Sequence, residues 1–144
     1  MKDYLKWSPR QDAPRAISTE IFALCRLPSL AEQKFTESVH GNMLALRDWT
    51  NDLAVQGLKA KGEPFPVGAA IVKQKLRGTK LIALGLMVKH AKGYDPAHGD
   101  WAFGYWEQES GLASGAEPAR ACGDCHAGAK TDYVFADDSW RLPQ

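Results

Sequence analysis

Cys122, Cys125 and His126 stand in the run "ACGDCHAGAKTDYVF", Ala121 to Phe135, near the end of a 144-residue chain. Two thiols and an imidazole in Cys-x-x-Cys-His spacing suit three chemistries: a redox dithiol, part of a zinc cage, or a covalent haem attachment site. A thioredoxin-type dithiol wants its cysteines at the start of a helix in a βαβ unit and has no use for a His directly after the second Cys. Structural zinc takes four ligands, and the adjacent Cys125 and His126 leave the backbone in different directions. Cys25, His40, His90 and His98 would have to complete that cage, and none stands in a paired ligand spacing. Haem accounts for every residue of the run. Two thiols three positions apart can each add to a vinyl group along one porphyrin edge, and the next residue then brings its imidazole beneath the iron. The spacing therefore predicts haem c, held covalently by Cys122 and Cys125, with His126 on the iron.

The place of the motif narrows the architecture. Small electron-transfer cytochromes c carry it near the start and close the iron with a Met far downstream, but no Met follows His126 here. Four-helix cytochromes c′ carry it near the end, as this chain does. Their long bundle helices, however, would not tolerate Pro64, Pro66 and the glycines between Phe65 and Glu107.

The elements that must position the motif are legible in outline. Residues 1–16 are polar and Pro-containing and read as an N-terminal arm with little structure of its own. "ISTEIFALCR" reads as a short helix capped at Ser18 or Thr19 and stopped at Pro28. "NMLALRDW" (Asn42 to Trp49) favours a strand, and "TNDLAVQGLKAKG" a helix capped at Thr50 or Asn51 with Gly62 past its last turn. "FPVGAAIVK" (Phe65 to Lys73) and "KLIALGLMVK" (Lys80 to Lys89) read as antiparallel neighbours, and "DWAFGYWE" (Asp100 to Glu107) as a third strand. "HAKGYDPAHG" is a loop, and Glu117 to Lys130 carries the Cys pair on a short helix. The expected fold is α+β, a predominantly antiparallel sheet with a few flanking helices, in one domain over residues 17–144.

Composition removes other classes. A net charge of +1 gives no phosphate-binding excess, so no nucleic-acid partner is expected. No apolar run approaches a membrane span. Three cysteines are an odd count and do not read as a disulfide framework. "MKDYLKWSPRQDAPR" has no apolar signal core. Because haem is attached to this motif in bacteria outside the cytoplasmic membrane, the haem reading predicts a periplasmic protein whose signal has been removed, Met1 opening a trimmed or recombinant form.

Three separated stretches, "FPVGAAIVKQKL", "LIALGLMVKHAKGYDPAHGDWAFGYWE" and "CGDCHAGAKTDYVF", together resemble the cytochrome P-460 family, which includes the cytochromes c′-beta. The resemblance covers roughly residues 40–136, residues 1–39 matching weakly. It implies a homodimer, a periplasmic location and a haem c with one axial His. In P-460 members a strand Lys is bonded to a meso carbon of the haem, and the protein oxidises hydroxylamine; in c′-beta members that bond is absent and nitric oxide or another small gas binds. The resemblance puts Lys73 at the crosslink position, and strand alternation puts Lys73 on one face with Val67, Ala69, Ile71 and Lys75. The distal Glu of the oxidising members falls at about Gly85 or Leu86, and nothing acidic occurs between Lys80 and Lys92.

An apolar distal side with Leu86 and Phe103 over the iron would admit nitric oxide while disfavouring water and anions. The favoured expectation is therefore a c′-beta-like cytochrome with an open site. Hydroxylamine oxidation at a Lys73-crosslinked haem is the enzymatic alternative. Plain electron transfer to a redox partner protein, with Met43 or Met87 closing the iron, is the third. His90 and His98 read as solvated loop residues, Lys130 and Asp132 as partners of a haem propionate or caps of the helix end, and Cys25 as a buried small hydrophobe.

Overall fold

The computed structural model describes residues 3–10, 13–17, 44–60, 62–108, 111–113 and 116–135, with backbone alone for 15–17, 44, 111–113 and 116–120. The helix expected around Cys25, and with it Cys25, His40 and Met43, lies outside the described residues.

A 3-10 helix, Asp3–Lys6, leads into β1 (Ser8–Pro9) and β2 (Arg15–Ile17). There follow β3 (Leu44–Thr50), α1 (Asp52–Lys59), β4 (Ala70–Arg77), β5 (Lys80–Lys89), β6 (Trp101–Glu107), β7 (Gly111–Ala113) and α2 (Ala116–His126). The strands form one seven-stranded antiparallel sheet in the order β1-β3-β4-β5-β6-β7, with β2 also paired to β3. From β3 to β7 each strand lies beside its neighbour in sequence, so short connections suffice. A sheet with flanking helices is the expected α+β class.

Both ends of β4 differ from the sequence expectation. Phe65 to Lys73 was the expected strand, but β4 begins at Ala70 because Pro66 has no N–H and Gly68 turns the chain at φ 88°. At its other end β4 runs on through Gln74, Lys75, Leu76 and Arg77, whose polar side chains do not prevent backbone pairing to β3 and β5. The opening residues are also tied down. Ser8 and Pro9 pair with Thr50 and Trp49, and Tyr4 is buried.

Alternation along the strands gives the sheet two covered faces. On one, Ile71, Met87 and Trp101 pack with Ala54 of α1, Phe65, Ala69 and Val134. On the other, Tyr4, Trp49, Val72 and Leu84 pack with Trp7, Leu81 and Trp106. Among the described residues no helix is long and apolar enough to cross a membrane. Asn51 joins α1 to the sheet: its Oδ1 accepts from the N–H groups of Ala54 (2.9 Å) and Ala70 (3.0 Å), and its Nδ2 donates to the Gly68 carbonyl (2.9 Å).

Candidate functional site

α2 ends on the motif. Cys122 and Cys125, three positions apart, are neighbours along the helix surface; Cys122 is half-buried, Cys125 is exposed, and no disulfide joins them. The helix unwinds through turns that return Ala127 N–H to the Gly123 carbonyl (2.8 Å) and Ala129 N–H to that of His126 (3.0 Å). Asp132 (φ 39°) and Tyr133 (φ 64°) then take the left-handed conformation and fold the chain back.

That reversal delivers the Tyr133 carbonyl to His126, 2.6 Å from Nδ1. A carbonyl only accepts, so Nδ1 carries the proton and Nε2 keeps its lone pair for a metal. Burial, partly offset by this hydrogen bond and reinforced by the positive charge of Lys73, lowers the His126 pKa to about 4, so the ring is neutral at ordinary pH. Phe103 and Phe135 flank it, each with its centroid 5.3 Å away.

His126 and Cys122 open into a cavity whose apolar wall includes Ile71, Met87, Phe103, Val134 and Phe135. Lys73, Asp48 and Arg10 line the same cavity. The register explains why. Asp48 of β3 is paired with Lys73 of β4, which is paired with Gly85 of β5, itself paired with Tyr105 of β6. His126 packs on β6 through Phe103, and strands are spaced by about 4.8 Å. Asp48, three strands away, therefore sits beyond Lys73 on the side remote from the imidazole.

The residues fit a haem c. Cys122 and Cys125 stand one helical turn apart, His126 offers one unprotonated nitrogen, and a largely apolar cavity adjoins Cys122 and His126. Among the described residues no three His, Cys, Asp or Glu side chains converge as a metal cage, and Cys25 and His40 lie outside those residues.

The other predicted residues fall in distinct places. Lys73 is half-buried at the cavity, and Lys75, two positions on, is buried with its Nζ 5.1 Å from the Tyr105 ring centroid. Phe103 packs against the imidazole, on the His126 side. Leu86 lines the cavity as expected, but it alternates with Gly85 and Met87, so it also borders the opposite sheet face beside Val72, Leu84 and Val88. Of the two positions expected to replace a distal Glu, Gly85 faces Lys73. Met87 is buried in the apolar cluster with Phe65, Trp101 and Val134.

His98 is not a solvated loop residue. Its side chain is 13% exposed, its Nδ1 lies 2.8 Å from Asp95 and its Nε2 3.2 Å from Asp124 inside the motif. Hydrogen bonds to Asp95, then Asp124, raise its pKa above 6.5. Asp132 is engaged by Lys89 at 2.8 Å, which is a different role from the propionate partner or helix cap expected of it.

Asp48 and Arg10 escaped the sequence reading. The available signal was the alternation in "LALRDWT", which sets Asp48 in phase with Leu46 and Thr50; all three are essentially unexposed. Arg10 carried no such signal.

No curated protein matches the chain. A family model, Cytochrome P460, matches residues 42–136.

Proposed function

The chain belongs to the cytochrome P460 family and so binds haem, and from that premise we propose a periplasmic haem c protein that takes a small protic nitrogen compound of the hydroxylamine class. Cys122 and Cys125 would carry the thioethers, His126 would hold the iron through Nε2, and the compound would enter the cavity lined by Lys73 and Asp48. One observation carries this reading over the apolar-pocket alternative: Asp48 and Lys73, cross-strand partners, line the cavity that His126 opens into.

The bound haem supplies an iron that holds the ligand and passes electrons to an external one-electron acceptor. The chain does the rest. His126 stays neutral, with its proton on Nδ1 and the Nε2 lone pair left for a metal. Ile71 and Phe135 give the cavity part of its apolar wall. Lys73 stands at the position of the family's crosslinking Lys. Asp48 offers a carboxylate to take the protons that hydroxylamine releases as it is oxidised, the task that the absent β5 acid would otherwise perform.

A second reading, reversible binding of nitric oxide or a similar gas, draws support from Gly85, which puts no side chain and no acid opposite Lys73. A homodimer is the assembly that the family resemblance implies.

The test uses protein matured in a host with haem c attachment machinery. In pyridine, the native protein is expected to give a displaced haem spectrum and Lys73→Ala an ordinary c-type spectrum. Asp48→Asn is expected to lower hydroxylamine oxidation on the order of 100-fold while carbon monoxide binding persists. An ordinary spectrum, gas binding and no turnover in the native protein would select the second reading. A six-coordinate ferrous iron that ignores both gases would overturn the open site itself.

A further inference from the structure

The hydrogen bond that orients His126 ends on a main-chain carbonyl, which no substitution removes. Its strength is set by whatever fixes the turn from Thr131 to Val134, and that turn is held from four directions. Lys89 Nζ, at the end of β5, donates to both carboxylate oxygens of Asp132 (2.9 and 2.8 Å) and to the Gly99 carbonyl (2.7 Å). The Phe65 N–H donates to Asp132 Oδ2 at 2.7 Å. Trp101 Nε1, on β6, donates to the Asp132 carbonyl at 2.9 Å. The Tyr133 hydroxyl donates to the Ala97 carbonyl at 3.0 Å, and its ring lies where a Cβ on Gly99 would stand.

Two consecutive non-glycine residues at positive φ persist only when their surroundings over-determine them. The surroundings here centre on one buried ion pair: the Lys89 and Asp132 side chains are 10% and 15% exposed. With that pair intact, the Asp132 and Tyr133 conformations are fixed and the Tyr133 carbonyl stands 2.6 Å from Nδ1. A shorter, better-aligned acceptor at the outer nitrogen makes an imidazole a stronger donor through the inner one.

We propose that Lys89 and Asp132 are positioning residues for His126, fixing the Tyr133 carbonyl and thereby setting how strongly the imidazole donates to the haem iron. The inference rests on His126 being the axial ligand. It makes a residue on β5, far from the motif in sequence, a determinant of the iron's electronic state.

The experiment compares native holoprotein with Lys89→Gln, Asp132→Asn and Lys89→Arg, reading the ferrous iron–histidine stretch by resonance Raman and the reduction potential. Gln and Asn break the charge pair while remaining hydrogen-bonding groups, and Arg restores the charge. The expected result is a lower stretching frequency and a more positive potential in Lys89→Gln and Asp132→Asn, with Lys89→Arg moved back toward native values. Trp101→Phe, which keeps the ring and deletes the bond to the Asp132 carbonyl, should shift both readouts in the same direction, and it decides the matter where the charge variants fail to fold. Folded variants with native frequency and potential would overturn the proposal. His126→Ala separates the premise from the inference. If its spectrum is native, the axial assignment is wrong; if its spectrum is deranged while Lys89→Gln is unchanged, only the positioning role falls.

Discussion

His98 is tied to the motif through a residue too small to be noticed. A Cβ on Gly123 would stand 2.5 Å from His98 Cδ2, so the bare backbone of α2 is what lets the imidazole lie against the helix and reach Asp124. The two carboxylates favour the charged ring, and its pKa in the folded protein is raised above 6.5. The sign follows from linkage. A raised histidine pKa contributes stability that is fully present below 6.5 and is lost as pH rises through the higher folded value. The stability difference between native protein and His98→Gln is therefore expected to be larger at about pH 6 than at about pH 9, measured by denaturant unfolding at each pH. An equal difference at both would mean that the ring is neutral in the fold. At this scale Cys122, Cys125 and His126 were legible as candidates, because the chemistry proposed for them is a matter of spacing along the chain. Asp48 and Lys89 were not, because what each does depends on which strand lies next to it.

β3, β5, α1 and α2 followed from local pattern, since apolar phase, caps and composition act within a few residues. β4 shows where such reading stops: Gln74 and Lys75 look like the end of a strand, yet pairing on both sides carries the ladder past them. The phase survived that error, because alternation depends on the backbone and not on where the strand ends, and Lys73 and Lys75 do share a face. Asn51 is the element-scale counterpart of a keystone. It caps α1 and binds two backbone groups at the start of β4, so Asn51→Ala is expected to cost roughly 2–3 kcal/mol, read from the shift in a denaturant transition. Asn51→Asp keeps both acceptor bonds and should cost less.

Across the whole molecule, the pairing of β4 with β5 was anticipated, and the rest of the order follows the same rule, sequence neighbours being spatial neighbours from β3 to β7. The role of the opening residues was not. Polar composition conceals two aromatic anchors, Tyr4 and Trp7, which pack on the sheet face opposite His126, Tyr4 edge-on to Trp49 at 6.2 Å. The sheet thus has aromatic cover behind it and the candidate haem cavity in front, and the four described tryptophans divide between the two sides.

That division has an optical consequence. Trp101 is packed beside the cavity, while Trp7, Trp49 and Trp106 stand across the sheet from it, within roughly 10 Å of the side chains on its other face. A haem in the cavity absorbs where tryptophan emits and is close enough to each indole to drain its excited state. The folded holoprotein should be nearly dark on excitation of tryptophan and should brighten as it unfolds, even though the thioethers keep the porphyrin on the chain. A bright native protein would place the haem away from the sheet; a dark one supplies the signal by which every stability change named above can be followed.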